Sequence, residues 1–514
     1  MEITWSELWR QAGSVAELLG GGEQRLAIAC EDTLDFIVAL AASFISGNSA
    51  VPTPVTLSRR SAPRTEVVLR TAEPGALVAG SILSDWLAEV AAANECRVIA
   101  FDRSKRAGGL TAEVGVAPTA LALIQFSSGS TGNPKGIGIS HGNIVANCRA
   151  IAKAYSFSQD TRMVSWLPLH HDMGLIGHVV FPMWMGCRST LMNSLRFLQR
   201  PLSWLRLIEE ERATITSAPN FAFEMCSKAA DSVGLDGLDL STLSVAICGG
   251  EPVLPSTVRR FLATFGPAGF RPSAFAPSFG LAESTLFVSS GATPDGPRFA
   301  EARTAEDSTF EVADLGPPAE GLAFRAVDTE GREVAESTIG EIEISGDSVG
   351  SIVGEPPAAL LQTGDLGFIR EGRLHITGRK KELIILKGQN VYPADVEMAA
   401  MNAHPAIVPG GIAAIGVESG GTQDLMVFVE VERSQRVTAE DVIIIERTVS
   451  EGISRQVGHV AKQVIALRFG SLPRTPSGKV QRNLVAQMFR AGSIGGVDRL
   501  SAKRRTEGLA DVQV

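Results

Sequence analysis

The apolar positions of this chain change their spacing from one stretch to the next, and those changes set the expected elements. Short apolar runs come first, separated by longer amphipathic stretches. Arg25-Leu26-Ala27-Ile28-Ala29-Cys30, Ala50-Val51-Pro52, Gly75-Ala76-Leu77-Val78-Ala79 and Arg97-Val98-Ile99-Ala100-Phe101 read as strands, with a helix over 33–46. Strands alternating with helices form a sheet covered by helices. Leu121-Ala122-Leu123-Ile124 is a further buried strand, and Ile144, Cys148, Ile151, Ala152 and Tyr155 share one face of a helix over 141–155.

A second α/β series follows: a helix over 201–212, the strands Ala213-Thr214-Ile215-Thr216 and Leu243-Ser244-Val245-Ala246-Ile247, and a helix through 258–262. Small or polar clusters close this series: Ala218-Pro219-Asn220, Gly249-Gly250-Glu251 and Ser278-Phe279-Gly280. In open α/β sheets ligands sit beyond the carboxyl ends of strands, so these clusters share the side where a nucleotide would lie. From about Thr309 the pattern turns β-rich, as in Gly340-Glu341-Ile342-Glu343-Ile344 and Arg373-Leu374-His375-Ile376-Thr377. The charged Gly378-Arg379-Lys380-Lys381-Glu382 is the hinge candidate, followed by a helix over 393–401, a strand over 425–431 and a helix over 438–454. The expected fold is α/β: a large N-terminal domain (1–380) of α/β subdomains plus a β-rich subdomain, a smaller C-terminal α+β domain (381–492) joined by the hinge, and a loose tail (493–514).

Composition narrows the function classes. A chain of 514 residues exceeds what one hydrophobic core supports, and a mixed surface with net charge −9 argues against nucleic-acid binding. Met1-Glu2-Ile3-Thr4-Trp5 lacks the basic start of a secretory signal, and the longest apolar run, 36–45, is too short to span a membrane, so a cytoplasmic location is expected. Cys30, Cys96, Cys148, Cys187, Cys226 and Cys248 form no C-x-x-C pair and read as buried reduced thiols.

The densest chemistry lies in Ser127-Ser128-Gly129-Ser130-Thr131-Gly132-Asn133-Pro134-Lys135-Gly136. Glycines let backbone N–H groups turn toward one point, hydroxyls add donors and Lys135 adds a compact positive charge, which together suit a polyphosphate. Because Lys135 lies between Pro134 and Gly136, this is not the P-loop that opens a helix, and the loop is expected to run on into strand.

With Phe279-Gly280-Leu281-Ala282-Glu283, Thr363-Gly364-Asp365, Gly378-Arg379-Lys380-Lys381-Glu382 and Pro476-Ser477-Gly478-Lys479 following in order, the chain resembles the adenylate-forming superfamily over nearly its whole length. The resemblance implies attack of a carboxylate on the α-phosphorus of ATP, giving acyl-AMP and pyrophosphate. Two unit charges about 4 Å apart repel by roughly 4 kcal/mol at an effective dielectric of about 20, so cations must cancel the repulsion. It further implies Lys479 at the carboxylate and α-phosphate, and Glu283, with Thr131, at Mg²⁺. Asp365 would hold the ribose hydroxyls beside Arg379, Gly249-Gly250-Glu251 would line the adenine side with Phe279 and Gly280, and Lys381 would be the hinge.

Trp166-Leu167-Pro168-Leu169-His170-His171-Asp172-Met173-Gly174 and Ala218-Pro219-Asn220-Phe221-Ala222-Phe223-Glu224 are similar to motifs of fatty acyl-AMP ligases. Those enzymes pass the acyl group to the phosphopantetheine thiol of an acyl carrier protein. The short segment between Gly346 and Thr363, and Val391 in Asn390-Val391-Tyr392-Pro393, depart from that subgroup and leave coenzyme A open as acceptor. The resemblance makes His171 a further catalytic candidate and puts the acid near Asp172, Met173, Met183, Trp184, Phe221 and Phe223, with Val179 and Phe181 close by but read as filling the core between helix and sheet. Asp172 also lies close to where amino-acid-adenylating relatives pair the substrate ammonium, so that reading stays open, as does a non-catalytic nucleotide-binding relative.

Overall fold

The structure, a computed structural model, describes residues 2–22, 24–54, 62–103, 115–126, 136–303, 309–355, 358–386, 389–401, 403–419, 422–432, 438–475 and 478–494. The early alternation of strand and helix yields a seven-stranded sheet in the order Ser351–Ile352, Gly136–Ser140, Leu121–Phe126, Ser49–Pro52, Arg25–Ile28, Ala76–Ala79, Arg97–Ala100. Its middle strands are parallel and buried but for a residue at some of their ends, which is why they read as apolar runs. Gly136–Ser140 returns antiparallel to Leu121–Phe126, so the chain leaving the Ser/Gly-rich loop does enter strand.

The second series forms a six-stranded sheet in the order Phe287–Ser290, Phe275–Gly280, Val245–Cys248, Ile215–Ala218, Arg162–Ser165, Arg188–Leu191. Two of its strands begin two residues later than the apolar pattern suggested, at Ile215 and Val245. Helices Thr33–Ile45 and His141–Tyr155 stand where the periodicity put them, the second opened by a capping box between Ser140 and Asn143. A helix over Trp5–Leu19, capped by Thr4 and packed on Thr33–Ile45, had no counterpart in the sequence reading. The wall of one core is aromatic: Trp166 stacks on Phe197 with centroids 3.9 Å apart.

The β-rich region is a four-stranded antiparallel sheet, Leu322–Val327, Gly340–Gly346, Leu361–Arg370, Arg373–Arg379. Beyond it a separate apolar cluster runs from Ile384 to Ala466. There the long hairpin of Ile407–Ser419 and Thr422–Val431 takes Gln463–Arg468 as a parallel third strand, and helices Pro393–Met401 and Ala439–Val457 cover it. The architecture is a large N-terminal and a small C-terminal domain. All six cysteines are buried and free. Among the described residues no helix is long and apolar enough to cross a membrane.

Candidate active site

Residues from the ends of several strands of these sheets, together with Thr475 and Lys479, line a cavity of about 920 Å³. Gly249 and Gly250 reach it because Val245–Cys248 stops there, and Phe279 and Gly280 because Phe275–Gly280 ends at the same edge. Glu283 comes from the single turn Ala282–Ser284, and His171, Asp172 and Met173 from the start of the helix at Asp172–Leu175. A second cavity of about 730 Å³, walled by Glu251, Asp365 and Tyr392, shares Gly250, Phe279, Arg379 and Lys479 with the first.

Lys479 comes from a tight turn in which Thr475 N–H donates to Lys479 O at 2.7 Å and Thr475 Oγ1 accepts from Lys479 N–H at 3.1 Å. Its ammonium lies against Gly250, 3.4 Å from where a Cβ would stand. Burial holds its pKa below the usual lysine value, while Asp172, Glu251 and Asp365 oppose that shift. Arg474 sets the turn, donating to Gly410 O at 2.6 Å, to Gly478 O at 3.1 Å and to the fully buried Glu430 at 2.6 Å. The sequence reading passed over Arg474; only tertiary contact distinguishes it from any surface arginine.

Asp365 and Arg379 face each other across the antiparallel strands, with Arg379 Nε donating to Asp365 Oδ1 at 2.9 Å. Burial pushes the Asp365 carboxyl up, and Arg379 works against it. Glu283 is also pushed up, chiefly by burial and then by Asp172, with Arg379 opposing. For Asp172 burial is outweighed by His171 and Lys479, which hold it below the usual carboxylate range. His171 Nδ1 lies 2.5 Å from Asp172 Oδ1, so that carboxylate already has a partner.

Part of the expected set is not brought into this cavity, and part falls outside the described residues. Ser127, Ser128, Gly129, Ser130, Thr131, Gly132 and Lys135 fall outside the described residues, although the flanking Phe126 and Gly136 are paired in register. Phe223 is core, packed on Phe261 and Phe275; Trp184 is 40% exposed; Met183 packs on the first sheet's core. Val179 and Phe181 are core, as their place between helix and sheet suggested. Phe221 supports the Lys479 turn rather than the cavity, with its ring under Gly478. Lys381 is exposed at the cavity rim. In place of Met183, Trp184, Phe221 and Phe223 the cavity is walled by Ile151, Tyr155, Met163, His178, Ser217 and Ile247.

Comparison with known proteins gives this cleft its context. The model of the AMP-binding enzyme family matches residues 1–352. The chain belongs to that family. A medium-chain-fatty-acid–[acyl-carrier-protein] ligase of Moorena producens is 31% identical, with 96% of this chain and 90% of that protein covered. A long-chain-fatty-acid–AMP ligase of Mycobacterium tuberculosis is also 31% identical, over 96% of this chain and 92% of its own. A solved chain from studies of fatty acyl-adenylate ligases of E. coli and L. pneumophila superposes with a TM-score of 0.84 at 28% identity, covering 95% of this chain and 92% of that one. This member of the AMP-binding family is thus an AMP-forming acid ligase whose two-domain fold is the family's.

Proposed function

We propose that the protein activates an apolar carboxylic acid with ATP, forming acyl-AMP and releasing pyrophosphate, and then passes the acyl group to the phosphopantetheine thiol of an acyl carrier protein. The observation that carries this reading is the seating of Lys479 in the same cleft as Asp172, Glu251, Arg379 and Asp365. A carboxylate oxygen attacks the α-phosphorus, the bond to the pyrophosphate oxygen breaks, and Lys479 offsets the charge that gathers between the two anions. Asp365 receives the ribose hydroxyls, Gly249, Gly250, Glu251 and Phe279 border the base, and the Ser127–Gly136 loop takes the outer phosphates. In the second step the thiol sulfur attacks the acyl carbon and the carbon–oxygen bond to AMP breaks, after a turn of the small domain about Lys381.

Magnesium fits at Glu283. Asp172 and Asp365 both add negative charge near this buried carboxylate, with Arg379 opposing them, an imbalance that a divalent cation on ATP's phosphates would relieve. Glu283, with Thr131, would hold the ion, whose part is to neutralise phosphate charge. His171 orients Asp172, and the pairing of those two side chains weighs against Asp172 as an anchor for a substrate ammonium. The printed function of the Moorena relative supports a carrier protein as acceptor.

The test is pyrophosphate exchange over a panel of fatty, aromatic and amino acids, followed by mass spectrometry with either coenzyme A or a phosphopantetheinylated carrier. Exchange with apolar acids and acyl-carrier product is the expected result. Acyl-CoA alone would replace the acceptor, and silence with every acid would leave a nucleotide-binding protein.

A further inference from the structure

The inner wall of the first cavity is one face of the six-stranded sheet. Along Ile215–Ala218 the alternate residues Ile215 and Ser217 line it, and the register sets Met163 opposite Ile215 and Ile247 opposite Ser217. Residues two apart on a strand are separated by about 6–7 Å. Moving inward from Gly249 there is thus a level at Ile247 and Ser217, and a deeper one at Met163 and Ile215. The facing wall carries Ile151 and Tyr155, one helical turn apart. Tyr155 and Ser278 satisfy each other at 2.9 Å between hydroxyl oxygens.

His178 breaks this apolar lining. It sits in the π-helical turn Ile176–Val180, is 1% exposed, and places Nε2 2.6 Å from Ser217 Oγ. Its Nδ1 is buried without a hydrogen-bond partner, although the residue lines the cavity. Burial pulls its pKa down to about 3, so the ring is neutral in ordinary buffers. A neutral imidazole has one donor and one acceptor nitrogen; whichever of the two Ser217 engages, the other is unmet, and an unmet buried polar atom is costly. Most buried polar side-chain atoms have a hydrogen-bond partner, so an unmet imidazole nitrogen on a cavity-lining residue marks a place for a ligand atom. Gln125, 6% exposed and lining the same cavity, likewise has both amide atoms unpartnered.

We propose that the acid taken by this enzyme carries a hydroxyl on an otherwise apolar body, bound by His178 at the level of Ser217, with apolar carbon beyond it against Ile215 and Met163. This rests on the acid-activating reading and narrows its substrate class. A hydroxyl both donates and accepts, so it satisfies the ring in either tautomer, whereas the residues named at those two levels, Ile247, Ser217, Met163 and Ile215, carry no charge to meet an ammonium or a second carboxylate.

Pyrophosphate exchange with matched acids of equal length, one hydroxylated and one not, tests it. The wild-type enzyme should favour the hydroxylated member by about tenfold or more in kcat/KM, and His178→Leu should bring the ratio close to one. Equal exchange with both members in the wild type overturns the inference while leaving acid activation intact, and so does a ratio that His178→Leu does not change. The wild-type comparison decides the matter even if the variant fails to fold. Exchange with no acid at all overturns acid activation itself.

Discussion

Gly478 turns at φ +88° directly over the ring of Phe221, so close that a Cβ there would stand 2.8 Å from the ring's ζ carbon. Gly410 approaches the same residue, its Cβ position 3.1 Å from Phe221 Cβ, and Phe221 N–H donates to Glu251 at 2.6 Å. The aromatic ring is therefore the seat on which the small domain sets the Lys479 turn. Gly478→Ala should unseat it, since left-handed backbone costs a residue with a Cβ about 1–2 kcal/mol and the ring must move as well. Pyrophosphate exchange is expected to slow by about tenfold or more with ATP affinity retained. Adding Phe221→Ala should restore the steric part of the loss and leave the backbone part. Wild-type exchange in Gly478→Ala would show that the turn is not held where this contact puts it.

Lys479→Ala removes the charge that separates two anionic reactants. Repulsion of about 4 kcal/mol at an effective dielectric of about 20 corresponds to roughly a thousandfold in rate. Exchange should fall by about that factor, and nucleotide binding, which rests on the large domain, should persist. Lys479→Arg should rescue poorly, because a planar guanidinium spreads over several atoms the charge that the ammonium concentrates at one point. Measured exchange rates and ATP titrations on both variants check this.

Asp365→Ala should weaken ATP binding itself. A hydrogen bond to a charged group contributes about 1.5–3 kcal/mol, so the dissociation constant should rise roughly tenfold to a hundredfold, read by calorimetry without acid present. Arg379 is 57% exposed and can turn to water once its partner is gone, so the folded state should survive the change. Unaltered ATP affinity would displace Asp365 from the ribose.

How much of this was legible beforehand follows from what each residue answers to. Buried parallel strands and amphipathic helices announce themselves by period, and strand-end clusters such as Gly249-Gly250 by the turns they must make. The inner wall of the first cavity does not: Met163, Ile215 and Ile247 have the side chains of core residues, and only strand register turns them onto a cavity. Phe221 and Phe223 show the same limit on a helix. Two positions apart in Asn220–Val233, they point in roughly opposite directions, so one ring meets Gly478 and the other Phe261 and Phe275. Reading both as pocket residues assigned one direction to two faces.

The pH profile offers a check that needs no substitution. Glu283 serves in its ionised form, and burial raises its pKa from the ordinary 4.5. A raised carboxyl gains its proton earlier as the medium is acidified, so the acid limb of kcat/KM should fall with a midpoint above 4.5. Lys479 serves as the cation, and burial lowers its pKa from 10.5, so activity should be lost as pH rises through a midpoint below that value. Both limbs move inward, giving a bell narrower than the free side chains would produce, and kcat/KM reports it because that ratio follows the groups of the unliganded enzyme. Nucleotide phosphates near Lys479 push its pKa back up, so the basic limb of kcat, which reports the bound complex, should lie at higher pH than that of kcat/KM. If the two basic limbs coincide, Lys479 does not feel the nucleotide, and the charge-cancelling role fails.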